Sequence, residues 1–228
     1  MNFELQEHYQ NIHANGVKLV KNGSYFIDKD ISNPEDLRRG ITLLARPNAT
    51  ICFKINEILQ EISSFEPHQY FYPQQDFHIT IMSIISCYSG FSLDKICIED
   101  YIKLIKKSIS KIDNFSIHFK GISLNPSGIL VNGYPKDNSL NNLRNSLRKN
   151  FRQTDLEQSL DQRYALKTAH GTVLRFQHRL KQQENLIEFI EQHLATDFGT
   201  FEVKNLELVF NDWYQKAENT ILLENFSL

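Results

Sequence analysis

Apolar residues recur along the chain with two periods, one typical of helices and one typical of strands. A spacing of three to four residues predicts amphipathic helices over 48–65, 95–112, 138–153 and 184–194. Alternating or short β-branched runs predict strands within 41–47, 76–85, 115–135, 168–176 and 200–228, with turn signals at Asn125-Pro126 and Asn132-Gly133.

The order of these elements predicts an α+β fold rather than an alternating parallel one. Each half of the chain has a helix before a histidine-containing strand and a helix after it. We therefore expect two similar, pseudo-symmetric lobes with antiparallel or mixed sheets and outer helices. No low-complexity linker separates the halves, so residues 39–228 are predicted to form one domain.

Residues 1–38 are predicted to form an N-terminal extension. A short helix opens it, and the Asn22-Gly23 pair lies between two short β-like runs, which favours a hairpin. A capped turn at Asn33-Pro34 follows.

Composition narrows the class of protein. The 228 residues are 41% hydrophobic, with a net charge of −2, which gives no global attraction for long nucleic acids and suits small anionic substrates. Three cysteines without CxxC spacing favour a reducing compartment, and no stretch approaches a membrane span. We expect a soluble, cytoplasmic protein with no membrane association and no obligatory protein partner.

The candidate catalytic residues lie in two His-x-Thr units. His78 and Thr80 lie two residues apart on one predicted strand, and His170 and Thr172 repeat the arrangement on another. Residues i and i+2 share a strand face, so each strand presents an imidazole beside a hydroxyl. A single such unit favours an ordinary sheet-face histidine, whereas the pair favours catalysis.

These motifs, "HITI" and "HGTV", resemble the paired motifs of the two-histidine (2H) phosphoesterase superfamily, which includes LigT-like 2′-5′ RNA ligases and cyclic phosphodiesterases. The resemblance spans roughly residues 40–225 and implies a cleft between two lobes, with one motif on each side. Gly171 departs from the aliphatic residue usual between His and Thr, while Arg175, five residues after His170, fits LigT-like members.

The resemblance implies a metal-independent phosphodiesterase acting on a cyclic phosphate or 2′-5′ linkage in a nucleotide or RNA end. One histidine would act as base and the other as acid, in an order left open. Thr80 and Thr172 would donate to phosphate oxygens. No cofactor or metal is expected, since the chain has no HExxH motif.

Three further residues are candidate substrate contacts. They are Arg175, Arg46 at the end of the first strand, and Tyr72 in the aromatic run before His78. On a regular strand Arg175 would face away from His170. A non-catalytic module that binds nucleotides or RNA ends remains an alternative, as does an interaction protein in which the motifs are coincidental.

Overall fold

The computed structural model describes residues 3–162 and 165–228, and within them the chain has an α+β fold. Two sheets pack with helices around an extensive apolar core, and every strand pairing is antiparallel. The predicted fold class is therefore confirmed, with antiparallel rather than mixed sheets.

The first sheet has four strands in the order β3-β1-β8-β9, and the second has five in the order β2-β6-β5-β4-β7. The first sheet therefore combines early strands with the last two, so the lobes are not simply the two halves of the sequence. The strands are β1 (Arg38–Ala45), β2 (Tyr70–Phe71), β3 (Ile79–Ser89), β4 (Phe115–Asn125), β5 (Gly128–Pro135), β6 (Gly171–Arg175), β7 (Asp197–Val203), β8 (Asn205–Asp212) and β9 (Ile221–Ser227).

The four helices predicted from periodicity all form, and each buries the expected apolar face. The helix after the first strand begins at an Asn48 cap, whose side chain accepts a hydrogen bond from the Ile51 amide at 3.0 Å. The helices are α1 (Phe3–Lys21), α2 (Ala49–Phe65), α3 (Ile98–Ile109), α4 (Ser139–Phe151) and α5 (Gln183–Gln192). None of the helices within these ranges is both long enough and apolar enough to cross a membrane.

The predicted hairpin at Asn22-Gly23 is wrong. The pair ends α1 instead: Gly23 has a φ of 65°, and the Ser24 amide donates back to the Leu19 carbonyl at 2.9 Å. A glycine in the left-handed region commonly ends a helix, so the Asn-Gly pair forms a helix C-terminus here rather than the turn of a hairpin. Residues 24–37 then run without a strand.

Asn132-Gly133 was the second misread turn signal, because it lies inside β5. A Cβ at Gly133 would come within 2.0 Å of the Ala169 carbonyl oxygen. Glycine is needed there because the backbone just before β6 packs closely against β5, rather than for a turn. The hydroxyl of Tyr9 on α1 also donates to the Gly133 carbonyl at 3.0 Å, which holds α1 against this sheet.

Candidate active site

The two motif histidines line one cavity of about 250 Å³ between the sheets. His78 immediately precedes β3 of the first sheet, and His170 immediately precedes β6 of the second. Both imidazoles are half-buried. The fold thus brings together two residues that are 92 positions apart in the sequence.

Gly171 explains how the two motifs approach each other. A Cβ built on this residue would lie 3.3 Å from the His78 carbonyl oxygen, which is tighter than an ordinary contact. The backbone of the second motif therefore packs directly against the first. The glycine that departs from the family pattern permits this approach.

Both threonines of the motifs also line the cavity. Along β3 and the residue before it, His78, Thr80 and Met82 line the cavity, whereas Ile79 and Ile81 are buried in the core. The period of two predicted this division of faces. Two imidazoles and two hydroxyls therefore surround one small space.

The two imidazoles have different partners at Nδ1. His78 Nδ1 lies 2.7 Å from the Asp76 carbonyl, which can only accept, so this nitrogen carries the proton and donates. In the neutral ring, Nε2 of His78 is therefore the basic nitrogen. His170 Nδ1 lies 2.6 Å from the Thr168 hydroxyl, which can donate or accept and so is compatible with either tautomer.

Burial lowers the pKa of both histidines from 6.5 to about 4. For His78, the bond to the Asp76 carbonyl opposes this shift, while the positive charges of Arg46 and Arg175 add to it. For His170, Arg144 is the strongest charged contributor to the lowering. Both rings are consequently neutral at pH 7 before an anion binds.

Arg144 on α4 connects the two motif strands. Its side chain is 1% exposed, and its Nε donates to the Ile81 carbonyl at 3.0 Å. Its Nη2 donates to the carbonyls of Thr80 at 2.9 Å and Thr168 at 2.8 Å. One guanidinium therefore fixes the backbone of both motifs, a role that the sequence analysis missed.

Arg175 lines the cavity together with the motif residues, because β6 is not the regular strand on which it would face away from His170. The pairing of β5 with β6 matches Leu130 to Thr172 but Ile129 to Leu174, which leaves Val173 as an extra residue. Such a bulge reverses the alternation of faces beyond it. Arg175 Nε donates to the Tyr72 hydroxyl at 2.9 Å, and Tyr72 lines the same cavity.

The segment before residue 38 contributes to this site through Asp28. The Asp28 carboxylate is buried; it accepts a hydrogen bond from the Tyr214 hydroxyl at 2.7 Å and lies 3.6 Å from Arg175 Nη1. The Asp28 amide also donates to the Phe176 carbonyl at 2.7 Å. Because Tyr214 and Arg175 both line the cavity, this carboxylate supports two side chains of its wall.

Arg46 is placed differently from the other candidates. It pairs with Glu207 at 2.9 Å and donates to the Gln75 carbonyl at 2.8 Å, and it does not line the described cavity. Its charge acts on His78 only at a distance, by lowering the pKa of that ring.

Several cavity residues were not found from the sequence because they belong to no motif. They include Thr42 on β1, Asn211 at the end of β8, Gln215 after β8, and Ser159 and Asp161 after α4. In the described ranges, no group of three or more His, Cys, Asp or Glu side chains is arranged to hold a metal ion.

Comparisons with known proteins agree with this architecture. Residues 48–219 match the family model described as the AKAP7 2′5′ RNA ligase-like domain. No curated protein sequence gave a significant match.

Solved structures with the same fold cover most of the chain. The protein TT0787 of Thermus thermophilus is 15% identical, with a TM-score of 0.61 over 84% of this chain and 97% of its own. E. coli LigT, solved with 3′-AMP, is 13% identical, with a TM-score of 0.54 over 84% and 98%. ATU0111 of Agrobacterium tumefaciens is 11% identical, with a TM-score of 0.57 over 91% and 98%.

Proposed function

The chain belongs to the AKAP7 2′5′ RNA ligase-like family within the 2H phosphoesterases, and from this membership we propose that it is a metal-independent phosphodiesterase. Its substrate would be a cyclic phosphate or 2′-5′ linkage in a nucleotide or RNA end. The observation that carries the proposal is the meeting of His78 and His170, with their threonines, in one cavity.

The reaction needs two proton transfers, and the site has two groups to perform them. One imidazole removes a proton from the attacking water as its oxygen bonds to phosphorus. The other, protonated, gives a proton to the departing sugar oxygen as the P–O bond breaks. Imidazole performs both tasks near neutral pH when its surroundings set the pKa suitably.

The surrounding groups favour an anionic substrate. Thr80 and Thr172 can donate hydrogen bonds to non-bridging phosphate oxygens, and Arg175 adds positive charge to the same cavity. A bound phosphodiester anion would raise the pKa of both histidines from about 4. Substrate binding would thereby help to charge the histidine that acts as acid.

A nucleotide or RNA terminus suits the size of the cavity, about 250 Å³, and the near-zero net charge of the chain. E. coli LigT, a structural relative, was solved in complex with a nucleotide, 3′-AMP. We expect the enzyme to act as a soluble protein in the cytoplasm, where the thiols of its three cysteines stay reduced.

The test is product analysis by chromatography with 2′,3′-cyclic, 3′,5′-cyclic and 2′-5′-linked nucleotides, in the presence of a metal chelator. We expect the wild type to turn over one of these classes and the His78→Gln/His170→Gln variant to turn over none. Loss of activity on adding chelator, or equal activity in both proteins, would refute the proposal. Tight nucleotide binding without product would instead favour a non-catalytic binding module.

A further inference from the structure

Thr168 lies two residues before His170, and its hydroxyl is in contact with the imidazole. Thr168 is 6% exposed, and its Oγ1 lies 2.6 Å from His170 Nδ1. Within the part of the chain that the structure describes, this nitrogen is the only hydrogen-bond partner of the hydroxyl. Thr168 does not line the cavity of the motif histidines, so its hydroxyl acts on the imidazole and not on a bound ligand.

The backbone around Thr168 is fixed by two neighbours. The Thr168 carbonyl accepts a hydrogen bond from Arg144 Nη2 at 2.8 Å. The next residue, Ala169, is 1% exposed, and its carbonyl oxygen would lie 2.0 Å from a Cβ at Gly133 on β5. Because this backbone is held so closely, the Thr168 hydroxyl keeps its place at Nδ1 and holds the imidazole in one orientation.

The direction of the hydrogen bond follows from the partners that are present. Buried polar hydrogens are normally paired, and His170 Nδ1 is the acceptor that lies within reach of the Thr168 hydroxyl. If Nδ1 of the neutral ring carried the proton, the hydroxyl would accept, and its own proton would have no acceptor among the described residues. In the neutral ring the hydroxyl therefore donates to Nδ1, which leaves the ring proton on Nε2.

The two motif histidines consequently have opposite tautomers. Nδ1 of His78 donates to the Asp76 carbonyl, so Nε2 of neutral His78 carries a lone pair, whereas Nε2 of neutral His170 carries a proton. In both rings, Nε2 makes no hydrogen bond to a described residue and is not a buried unpaired atom, so it is accessible in the cavity. A general base needs a lone pair on the accessible nitrogen, and of the two rings only His78 offers one.

The charged groups around His170 do not replace Thr168 as the group that orients the ring. The strongest electrostatic contributions come from Arg144 on α4, His78, Arg175 on β6 and His8 on α1. All four are basic and lower the pKa of His170, and no carboxylate is among them. The orientation at Nδ1 therefore depends on a neutral hydroxyl, which can bind the neutral and the charged ring in turn.

We propose that Thr168 is a positioning residue that sets the tautomer of His170, so that His170 acts as the general acid and His78 as the general base. When the anionic substrate binds, His170 takes up a second proton from solvent at Nδ1, and the Thr168 hydroxyl rotates to accept from it. Water then loses a proton to Nε2 of His78 as its oxygen bonds to phosphorus. Nε2 of His170 gives its proton to the departing sugar oxygen as the P–O bond breaks. This assignment rests on the proposed function.

Nitrogen NMR of the imidazoles at pH 7 measures the tautomers in the free protein, with signals assigned from His78→Gln and His170→Gln. Wild type should show an unprotonated Nδ1 in His170 and a protonated Nδ1 in His78. Thr168→Val keeps the shape of the side chain and removes the hydroxyl, so it should change the His170 signals and leave those of His78. A protonated Nδ1 in neutral wild-type His170 would overturn the proposal.

Thr200→Val is the matched control. Thr200 Oγ1 also contacts a histidine Nδ1, that of His118 at 3.0 Å, but neither residue lines the cavity. This variant should therefore change the His118 signals and leave those of His170 and the turnover unaltered. Thr168→Ala repeats the measurement if Thr168→Val does not fold.

The dependence of turnover on the leaving group tests the role of acid. Rates are compared for a substrate with a sugar leaving group, of the class found by product analysis, and for a 2′-deoxynucleoside 3′-(4-nitrophenyl phosphate), whose leaving group departs without a proton. Thr168→Val should lower kcat ~10-fold or more on the first and less than ~3-fold on the second, because only the first needs the acid. Thr168→Ser, which keeps the hydroxyl, should recover most of the loss.

The histidine variants complete the comparison. His170→Gln should show the same selective loss as Thr168→Val, whereas His78→Gln should lose turnover of both substrates, since both need the base. Equal losses on the two substrates in Thr168→Val, or a selective loss in His78→Gln instead of His170→Gln, would overturn the assignment.

The two measurements separate this inference from the proposed function. If no phosphodiester is turned over but the tautomers are opposite and that of His170 responds to Thr168→Val, positioning by Thr168 stands and the catalytic proposal fails. If turnover depends on both histidines but Thr168→Val has no selective effect, the catalytic proposal stands and the role of Thr168 is refuted.

Discussion

Replacing Arg144 with methionine should both destabilise the fold and change the titration of the site. The substitution leaves the carbonyls of Thr80, Ile81 and Thr168 without the donors that now lie 2.8 to 3.0 Å away. Each unsatisfied carbonyl costs about 1 to 3 kcal/mol. Removing a buried charge offsets part of this cost.

The net loss should be about 3 kcal/mol, which lowers Tm by roughly 6 to 12 °C for a chain of this length. Thermal unfolding of wild type, Arg144→Met and Arg152→Met measures it. Arg152 follows α4 as its C-cap and is largely exposed, so its variant should lose less than about 1 kcal/mol. Equal Tm values for the two variants would refute the bridging role of Arg144.

The pH dependence of kcat/KM distinguishes the effect of the Arg144 charge from the effect of its hydrogen bonds. Because its positive charge helps to lower the pKa of His170, methionine should raise that pKa and move the pH optimum of kcat/KM upward. Arg144→Lys keeps a charge but not the planar fork, so it should lose stability without the same pH shift. An identical pH profile for wild type and Arg144→Met would contradict the electrostatic part of the reasoning.

Three further outcomes are expected. Burial lowers the pKa of His78 and His170 from 6.5 to about 4, so between these pH values the unfolded chain binds more protons than the folded chain and stability falls as the pH drops. The urea midpoint should therefore fall less between pH 7 and 4.5 in the His78→Gln/His170→Gln variant than in wild type, and an equal fall in both proteins would contradict this. Gly171→Ile places a large side chain against the His78 carbonyl, 3.3 Å from the position of its Cβ, so kcat should fall at least ~10-fold, whereas undiminished turnover would show that the close approach is unimportant. Arg175→Met should raise KM more than it lowers kcat if the guanidinium binds substrate phosphate equally in ground and transition states, and an unchanged KM would exclude that contact.

Much of the fold follows from local pattern. The helices around the apolar stripes of α2, α3, α4 and α5 were predictable, because each stripe repeats with the helical period over several turns. The shared face of His78 and Thr80 followed from the period of two on β3. These features depend on neighbours within a few residues.

The errors arose where distant contacts decide the outcome. Asn22-Gly23 is compatible with a hairpin or a helix stop, and the packing of α1 against the second sheet selects the stop. The bulge at Val173, which turns Arg175 into the cavity, depends on its register with β5. No local signal marks either feature.

The supporting residues of the site were hidden for the same reason. Arg144 lies in a polar helix, so its sequence context predicts a surface residue. Its guanidinium instead donates hydrogen bonds to the carbonyls of Thr80 and Thr168, which are far from it in sequence. Asp28 comes from a segment without a recognisable motif, outside the residues that match the family model. Only the folded chain shows that these charges face the motif strands.

The most direct test of two-histidine catalysis is the turnover of His78→Gln, His170→Gln and the double variant on the substrate class identified by product analysis. Each single variant should lose about 10²- to 10⁴-fold in kcat, because one proton transfer is lost. The double variant should be little worse than the poorer single one, because the two groups act in a single step. If either single variant retains full turnover, or the two losses simply multiply, concerted action of His78 and His170 is contradicted.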